Sequence, residues 1–132
     1  MASDRQNAGA VVLTGPIDQA DMPALYRLAD ALVFPSIKEG FGLVALEAIA
    51  CGTPAIVSRI APFTEHLGDL DVAWCDPLSV GSIANAMAVI LAPAVRKQLL
   101  ARAAHALAAH DWSRTAAAHL PVYESLAENV DA

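Results

Sequence analysis

Pro35-Ser36-Ile37-Lys38-Glu39-Gly40-Phe41-Gly42-Leu43-Val44-Ala45-Leu46-Glu47 is the stretch from which the fold and the chemistry of this chain can be read. It follows Ala31-Leu32-Val33-Phe34, an apolar run without polar alternation, the pattern of a strand buried on both faces of a parallel sheet. Leu43 to Ala50 is helical in pattern and ends at Gly52, a good left-handed terminator. A strand, a glycine-bearing loop and a helix thus follow one another, and open α/β sheets place their ligands at such carboxyl strand ends. Gly40 and Gly42 let the backbone turn tightly and approach a ligand closely. The helix N-terminus beyond them offers free N–H groups and a positive dipole end to a phosphate or a sugar hydroxyl.

Glu47 is out of place in its helix. Leu43, Val44, Ala45, Leu46, Ala48, Ile49 and Ala50 make that helix apolar on nearly every side, the composition of a buried helix. An unpaired carboxylate there is costly. Helical side chains lean toward the N-terminus, so Glu47 points back at the glycine loop, where Glu39 sits at the near edge. Two carboxylates then converge on one pocket and can accept hydrogen bonds from ligand hydroxyls. A plainer reading stands beside this one: Glu47 pairs with a core arginine or with backbone groups, and Glu39 is a solvated loop charge.

Outward from this stretch, strand and helix alternate. Ala10-Val11-Val12-Leu13 reads as a buried strand ending in the turn Thr14-Gly15-Pro16. Asp21 caps a helix with Pro23 in its first turn and Leu25, Leu28 and Ala29 as its apolar stripe. Ala55-Ile56-Val57 is the next strand, Pro62 to Leu67 a short helix closed by Gly68, and Val72-Ala73-Trp74-Cys75 a fourth strand. Helices then take over. Ile83, Met87, Ile90 and Leu91 share a face, a second helix spans about Ala94 to Ala109, and the last begins near Trp112 with Ser113 as cap and Pro121 as a break or kink. The expectation is a single partial domain over 1–132: a tail over 1–9, alternating elements over 10–78, and helices over 79–132. Its fold class is α/β, a Rossmann-like parallel sheet of about four strands with flanking helices and a helical C-terminal tail.

Composition narrows the function. A net charge of −6 and a pI near 4.9 argue against nucleic-acid affinity and against docking on anionic lipid. Arg96-Lys97 and Arg102 read as one solvated helix face. No run approaches the roughly 20 apolar residues of a membrane span, and the first residues lack a signal-peptide pattern. Cys51 and Cys75 have no metal-type spacing, so a reduced, cytoplasmic protein with two core cysteines is expected. Asp69-Leu70-Asp71 spells D-x-D but falls in a turn away from the loop. His66 beside Glu65 is a candidate lining residue; His105, His110 and His119 show no ligand spacing. Phe63, Trp74, Trp112 and Tyr123 read as core or domain-packing aromatics. No G-x-G-x-x-G follows a strand, which counts against a nicotinamide-binding domain.

Glu39 and Glu47, inside P-S-x-x-E-G-F-G-L-x-x-x-E-A, resemble the E-x7-E signature of retaining glycosyltransferases of the GT-B fold. The likeness extends to Leu25-Tyr26-Arg27-Leu28-Ala29-Asp30-Ala31, to Gly52-Thr53-Pro54-Ala55-Ile56-Val57-Ser58, and to Glu65, Asp76-Pro77 and Trp112-Ser113. It covers about Val11 to Tyr123 and implies the nucleotide-sugar-binding C-terminal domain. By that resemblance Glu39 lies beside the donor sugar as the catalytic-site carboxylate. Ser36, Lys38 and the backbone of Gly40, Phe41, Gly42 and Leu43 meet sugar and distal phosphate, and Glu47 binds the ribose hydroxyls. The implied reaction is transfer of a hexose-type sugar from a nucleotide diphosphate sugar with retention, through a front-face route in which the departing diphosphate helps deprotonate the acceptor. No metal and no cofactor beyond that substrate are expected, and glycosidase carboxylate logic does not carry over.

The departures are as informative. The family's domain opens with two more strands carrying a G-R…K-G segment, whose cations neutralise the diphosphate; nothing before Val11 resembles it, and Arg5 is a poor substitute. Leaving-group stabilisation needs fixed positive charge, and Lys38 is the nearby cation. The chain is therefore expected to be an N-terminally truncated donor half, inactive alone, that lacks the acceptor domain or takes it from a complementary chain. The missing strands belong between Val11–Thr14 and Leu32–Phe34, so Val11–Gly15 is expected to be the weakest region, and open strand edges invite a homo-oligomer. Two other readings remain. One is a non-catalytic nucleotide-sugar-binding or interaction subunit; the other, a related nucleotide-sugar epimerase, fits the E-G-F-G-L spacing less well.

Overall fold

The computed structural model of the protein describes residues 10–68, 72–108 and 110–128. Three short strands, β1 (Leu32–Phe34), β2 (Ala55–Ser58) and β3 (Ala73–Cys75), form one parallel sheet in the order β1-β2-β3. Leu32, Val33 and Phe34 pair with Ala55, Ile56 and Val57; Ile56, Val57 and Ser58 pair in turn with Ala73, Trp74 and Cys75. Helices α2 (Leu43–Ala50) and α3 (Phe63–His66) make the two crossovers. Helix α1 (Met22–Leu28) precedes the sheet, and α4 (Val80–Ile90), α5 (Pro93–Ala108) and α6 (Trp112–Glu128) follow it.

Strand periodicity divides the core. Successive side chains of β2 point to opposite faces. Ala55 and Val57 pack with Ala45, Leu46 and Ile49 of α2 and with Phe63, while Ile56 packs with Cys75, Ala86, Ile90 and Leu99 on the α4–α5 side. All four β2 residues are buried, as a central parallel strand requires, and β1 is only half-buried because it is an edge. Ile56, Val57 and Phe63 have no exposed surface, each contributing roughly 1.5–3 kcal/mol by burial. The far end of α5 reaches the α2 face through Leu107, so the helical tail touches the element that carries Glu47.

Several expectations need correction. Val11–Leu13 is not a strand: its side chains are 67%, 79% and 93% exposed, and it joins no ladder. An apolar run becomes a strand only where a neighbour accepts its backbone hydrogen bonds, and β1 is not brought beside it. Nor is the expected turn formed at Thr14-Gly15-Pro16, although Gly15 takes a left-handed φ of 67°. Amides of Val11 to Gly15 (Pro16 has none) are expected to exchange as freely as those of an unfolded peptide; strong protection there would contradict this placement.

On α1, the buried residue is Tyr26, whereas Leu25 and Leu28 are exposed. Asp21 occupies the cap position but its side chain makes no cap bond. Arg96 is not simply solvated; it bonds the Asp30 carbonyl at 2.7 Å and pairs with its carboxylate at 3.2 Å, tying α5 to the start of β1. At α6 the cap is Asp111, whose Oδ1 accepts the Ser113 N–H at 2.6 Å, rather than Ser113. That bond holds the Asp111 carboxyl below its ordinary pKa. Pro121 does not end α6. The carbonyl it leaves without a donor lies on an exposed helix, where water can serve it. Trp112 and Tyr123 are 85% and 65% exposed, so they are not core aromatics. Of the cysteines, Cys75 is buried, its thiol pushed up by burial, while Cys51 is half-buried; both are free.

Candidate functional site

The loop leaving β1 is held by its own polar groups. Ser36 Oγ donates to the Lys38 carbonyl at 2.7 Å, and Glu39 Oε1 accepts the Gly40 N–H at 2.9 Å. Ser36 and Glu39 are half-buried, while Ile37, Lys38 and Gly40 are exposed. Phe41 turns away from the loop and packs edge-on against His110, with ring centroids 5.9 Å apart. This contact joins the loop to the α5–α6 connection.

The two glycines differ. Gly42 is buried at φ 88°, ψ 34°, the N-cap position of α2. A β-carbon on it would run into the Phe63 ring, lying 2.9 Å from Cδ1. Its backbone conformation and its surroundings both demand glycine. Gly40 has neither constraint: its φ is not left-handed, and a β-carbon there would meet nothing within 4 Å. Helix α2 starts with no side-chain cap and no acidic residue in its first turn. The Ala45 N–H bonds the Gly42 carbonyl at 3.0 Å, and the N–H groups of Leu43 and Val44 are left to solvent or to a ligand.

Glu47 is half-buried on α2, and its partner is neither an arginine nor the backbone. Tyr26 Oη donates to Glu47 Oε2 at 3.0 Å, while Oε1 has no protein hydrogen bond among the described residues. Tyr26 is 6% exposed, and its own carbonyl accepts a hydrogen bond from the buried Thr53 hydroxyl, so α1 is fixed against the turn after α2. Burial first, and then the hydrogen bond and negative charge of Glu47, raise the Tyr26 pKa from 10.0 to about 12. A raised acid pKa means the neutral phenol is the folded state's form. Its contribution to stability is whole below pH 10 and is lost as pH rises from 10 toward about 12. Titration of tyrosinate absorbance should show this group ionising near 12, and Glu47→Gln should bring it part of the way down. An unmoved midpoint in that variant would contradict the contact.

The structure therefore brings Ser36, Lys38, Glu39, Gly40, Gly42, Leu43 and Glu47 into one loop and the helix it opens. Three contributors had weak sequence signals. Tyr26 sits beside Arg27 in a short helix with nothing to mark it as a partner of Glu47, Phe63 fixes the glycine requirement from α3, and His110 comes from the tail. The side chains of His66 and His105 and the Asp69-Leu70-Asp71 turn lie outside the described residues; His119 Nδ1 is bonded to the Thr115 carbonyl within α6. Among the described residues no group of three or more His, Cys, Asp or Glu is arranged to hold a metal ion. Nor is any single helix there long and apolar enough to cross a membrane. Two cavities accompany the loop rather than contain it. One of about 840 Å³ lies between β3, α4 and α5. Another of about 670 Å³ lies at the carboxyl ends of the strands and meets the loop at Ile37.

Comparison with known proteins agrees with this geometry. Residues 1–105 match the family described as glycosyl transferases group 1. The D-inositol 3-phosphate glycosyltransferase 2 of Catenulispora acidiphila is 38% identical over 130 residues, covering 95% of this chain and 30% of that protein. The glycogen synthase of Mycobacterium tuberculosis is 39% identical over 118 residues, covering 86% and 28%. Among solved structures, sucrose-phosphate synthase from Thermosynechococcus elongatus superposes with a TM-score of 0.83 at 30% identity, over 97% of this chain and 33% of that one. The chain spans about a third of the length of these relatives. With a parallel Rossmann-like sheet, a glycine loop opening α2 and a match over most of its residues, the chain belongs to the group 1 glycosyl transferases.

Proposed function

We propose that this chain carries the donor-binding surface of a retaining glycosyltransferase that moves a hexose-type sugar from a nucleotide diphosphate sugar. Glu47 is the observation that carries the reading. It is a half-buried carboxylate, oriented by Tyr26 through one oxygen, with no protein bond to the other among the described residues. Such a group can accept the paired hydroxyls of a ribose. Glu39 stands at the opposite end of the loop, as the catalytic-site acid beside the donor sugar. Ser36, Lys38, Gly40, Gly42, Leu43 and the backbone of Phe41, whose ring is turned to His110, line the path between them, the open side of Gly40 allowing close approach and the uncapped start of α2 suiting the distal phosphate.

Turnover asks for more than this surface offers. A departing diphosphate needs fixed positive charge, and Lys38 is the cation within the loop. We therefore assign residues 1–132 to one partial nucleotide-sugar domain that works with an acceptor domain or a complementary chain in the cytoplasm, without a metal or further cofactor, and does not turn over alone. Ligand-observed NMR of the chain with UDP-, GDP- and ADP-sugars should show saturation transfer to at least one donor. Release of nucleoside diphosphate should stay at the uncatalysed background. No transfer to any of the three would sink the binding role, and steady release would sink the incompleteness.

A further inference from the structure

The Phe41 side chain is not used by the donor reading. Its ring stands edge-on to the His110 ring, with centroids 5.9 Å apart and planes at 86°, an arrangement in which aromatic rings attract. The backbone on its two sides is held unequally. Gly42 is seated against Phe63 at the start of α2, whereas Gly40 is open, with nothing within 4 Å of a β-carbon there. Ile37, Lys38 and Gly40 are exposed, and Glu39 bonds the neighbouring Gly40 N–H. The segment from Ile37 to Gly40 is therefore suspended between β1 and Phe41, and the packing of the Phe41 ring bears on where Glu39 stands.

His110 is a firm support for that ring. It sits in the α5–α6 connection, where its N–H bonds the Leu107 carbonyl at 3.0 Å. Leu107 in turn packs on the core cluster that contains Ala45, Leu46 and Ile49 of α2. On the far side, Asp111 Oδ1 accepts the Ser113 N–H at 2.6 Å, and Arg114 Nη1 donates to the Ala108 carbonyl at 3.0 Å, lacing the start of α6 back to the end of α5. The two ends of the donor surface thus share one frame. Helix α2 carries Glu47 directly, and the connection that follows the Leu107 contact with α2 carries His110. What His110 fixes is the Glu39 end of the loop relative to the Glu47 end.

We propose that His110 is a positioning residue of the donor surface, holding the Glu39–Phe41 segment, through the Phe41 ring, where a sugar and its distal phosphate meet it; the assignment rests on the donor reading above. His110 acts without touching the ligand. The contact keeps ordered a segment whose ordering would otherwise be charged against binding. It can supply no more than its own strength, which limits its effect on affinity to about tenfold. The ribose end, where Tyr26 orients Glu47, does not depend on it.

Amide NMR titrations of the whole chain with UDP-glucose, GDP-mannose and ADP-glucose, and with UMP, GMP and AMP, test this on the parent, His110→Ala and His110→Phe. His110→Ala should weaken binding of the preferred nucleotide-sugar about three- to tenfold and leave the matching monophosphate unchanged. His110→Phe keeps an aromatic edge for Phe41 and should restore the parent affinity. Without ligand, backbone amide order parameters at Glu39, Gly40 and Phe41 should fall in His110→Ala and recover in His110→Phe, with those of Leu43–Glu47 unmoved. Equal weakening of nucleotide-sugar and monophosphate would make His110 a structural residue only and overturn the proposal. Unchanged order at Glu39–Phe41 in His110→Ala, or no recovery in His110→Phe, would overturn it as well. No binding of any of these nucleotides to the parent, with the order parameters moving as expected, would instead strike the donor reading alone.

Discussion

Gly42→Ala is expected to cost roughly 2–5 kcal/mol of folding stability, the sum of a left-handed backbone forced on a β-carbon and an overpacked contact. The backbone part follows from φ 88° at Gly42, and the packing part from the Phe63 ring against that position. Phe63 has no exposed surface and sits within the α2 side of the core, so its ring has little room to retreat. A domain of this size is stable by only about 5–15 kcal/mol, so the variant should show a large fall in its urea midpoint. Gly40→Ala is the control, expected within about 0.5 kcal/mol of the parent, because nothing lies within 4 Å of its β-carbon and its φ is ordinary. The double variant Gly42→Ala with Phe63→Leu should recover part of the packing loss and none of the backbone loss. Equal midpoints for Gly40→Ala and Gly42→Ala would show that the loop–helix junction is not built as described.

Glu47→Ala is expected to lower donor affinity about 10- to 100-fold, since hydrogen bonds to a charged group contribute roughly 1.5–3 kcal/mol. The fold should survive, because Glu47 is only half-buried and its loss leaves Tyr26 to find water. Tyr26→Phe separates positioning from contact. It keeps the carboxylate but removes the hydrogen bond that orients it, so its effect on affinity should be smaller than that of Glu47→Ala. A larger effect would make Tyr26, not Glu47, the group that meets the ligand.

Local pattern was enough to locate the loop, the helix from Leu43 to Ala50 and the strands at Leu32, Ala55 and Ala73, because each combines a strong apolar run with a glycine or proline terminator. The carboxylate at Glu47 stood out for the same reason, as a charge in an apolar helix. What the sequence did not disclose depends on neighbours distant in the chain. Val11–Leu13 has the composition of a strand, yet a strand exists only with a partner to bond. Tyr26 is buried while Leu25 and Leu28 are not, because α1 presents the face that reaches Glu47. Gly42 looked like a site glycine, and its Phe63 contact shows a structural demand as well. Pro121 stays inside α6 without ending it, on a helix exposed at residues 112–127, where water can serve the carbonyl that loses its donor.

The central claim is that Glu47 and the loop before it form a nucleotide-sugar surface. Its most direct test is ligand-observed NMR with UDP-, GDP- and ADP-sugars on the parent chain and on Glu47→Ala, side by side. Saturation transfer strongest at the ribose protons, and lost in Glu47→Ala while that variant keeps the parent's amide spectrum elsewhere, is the predicted result. Equal signals from the two proteins would remove Glu47 from the site and contradict the account.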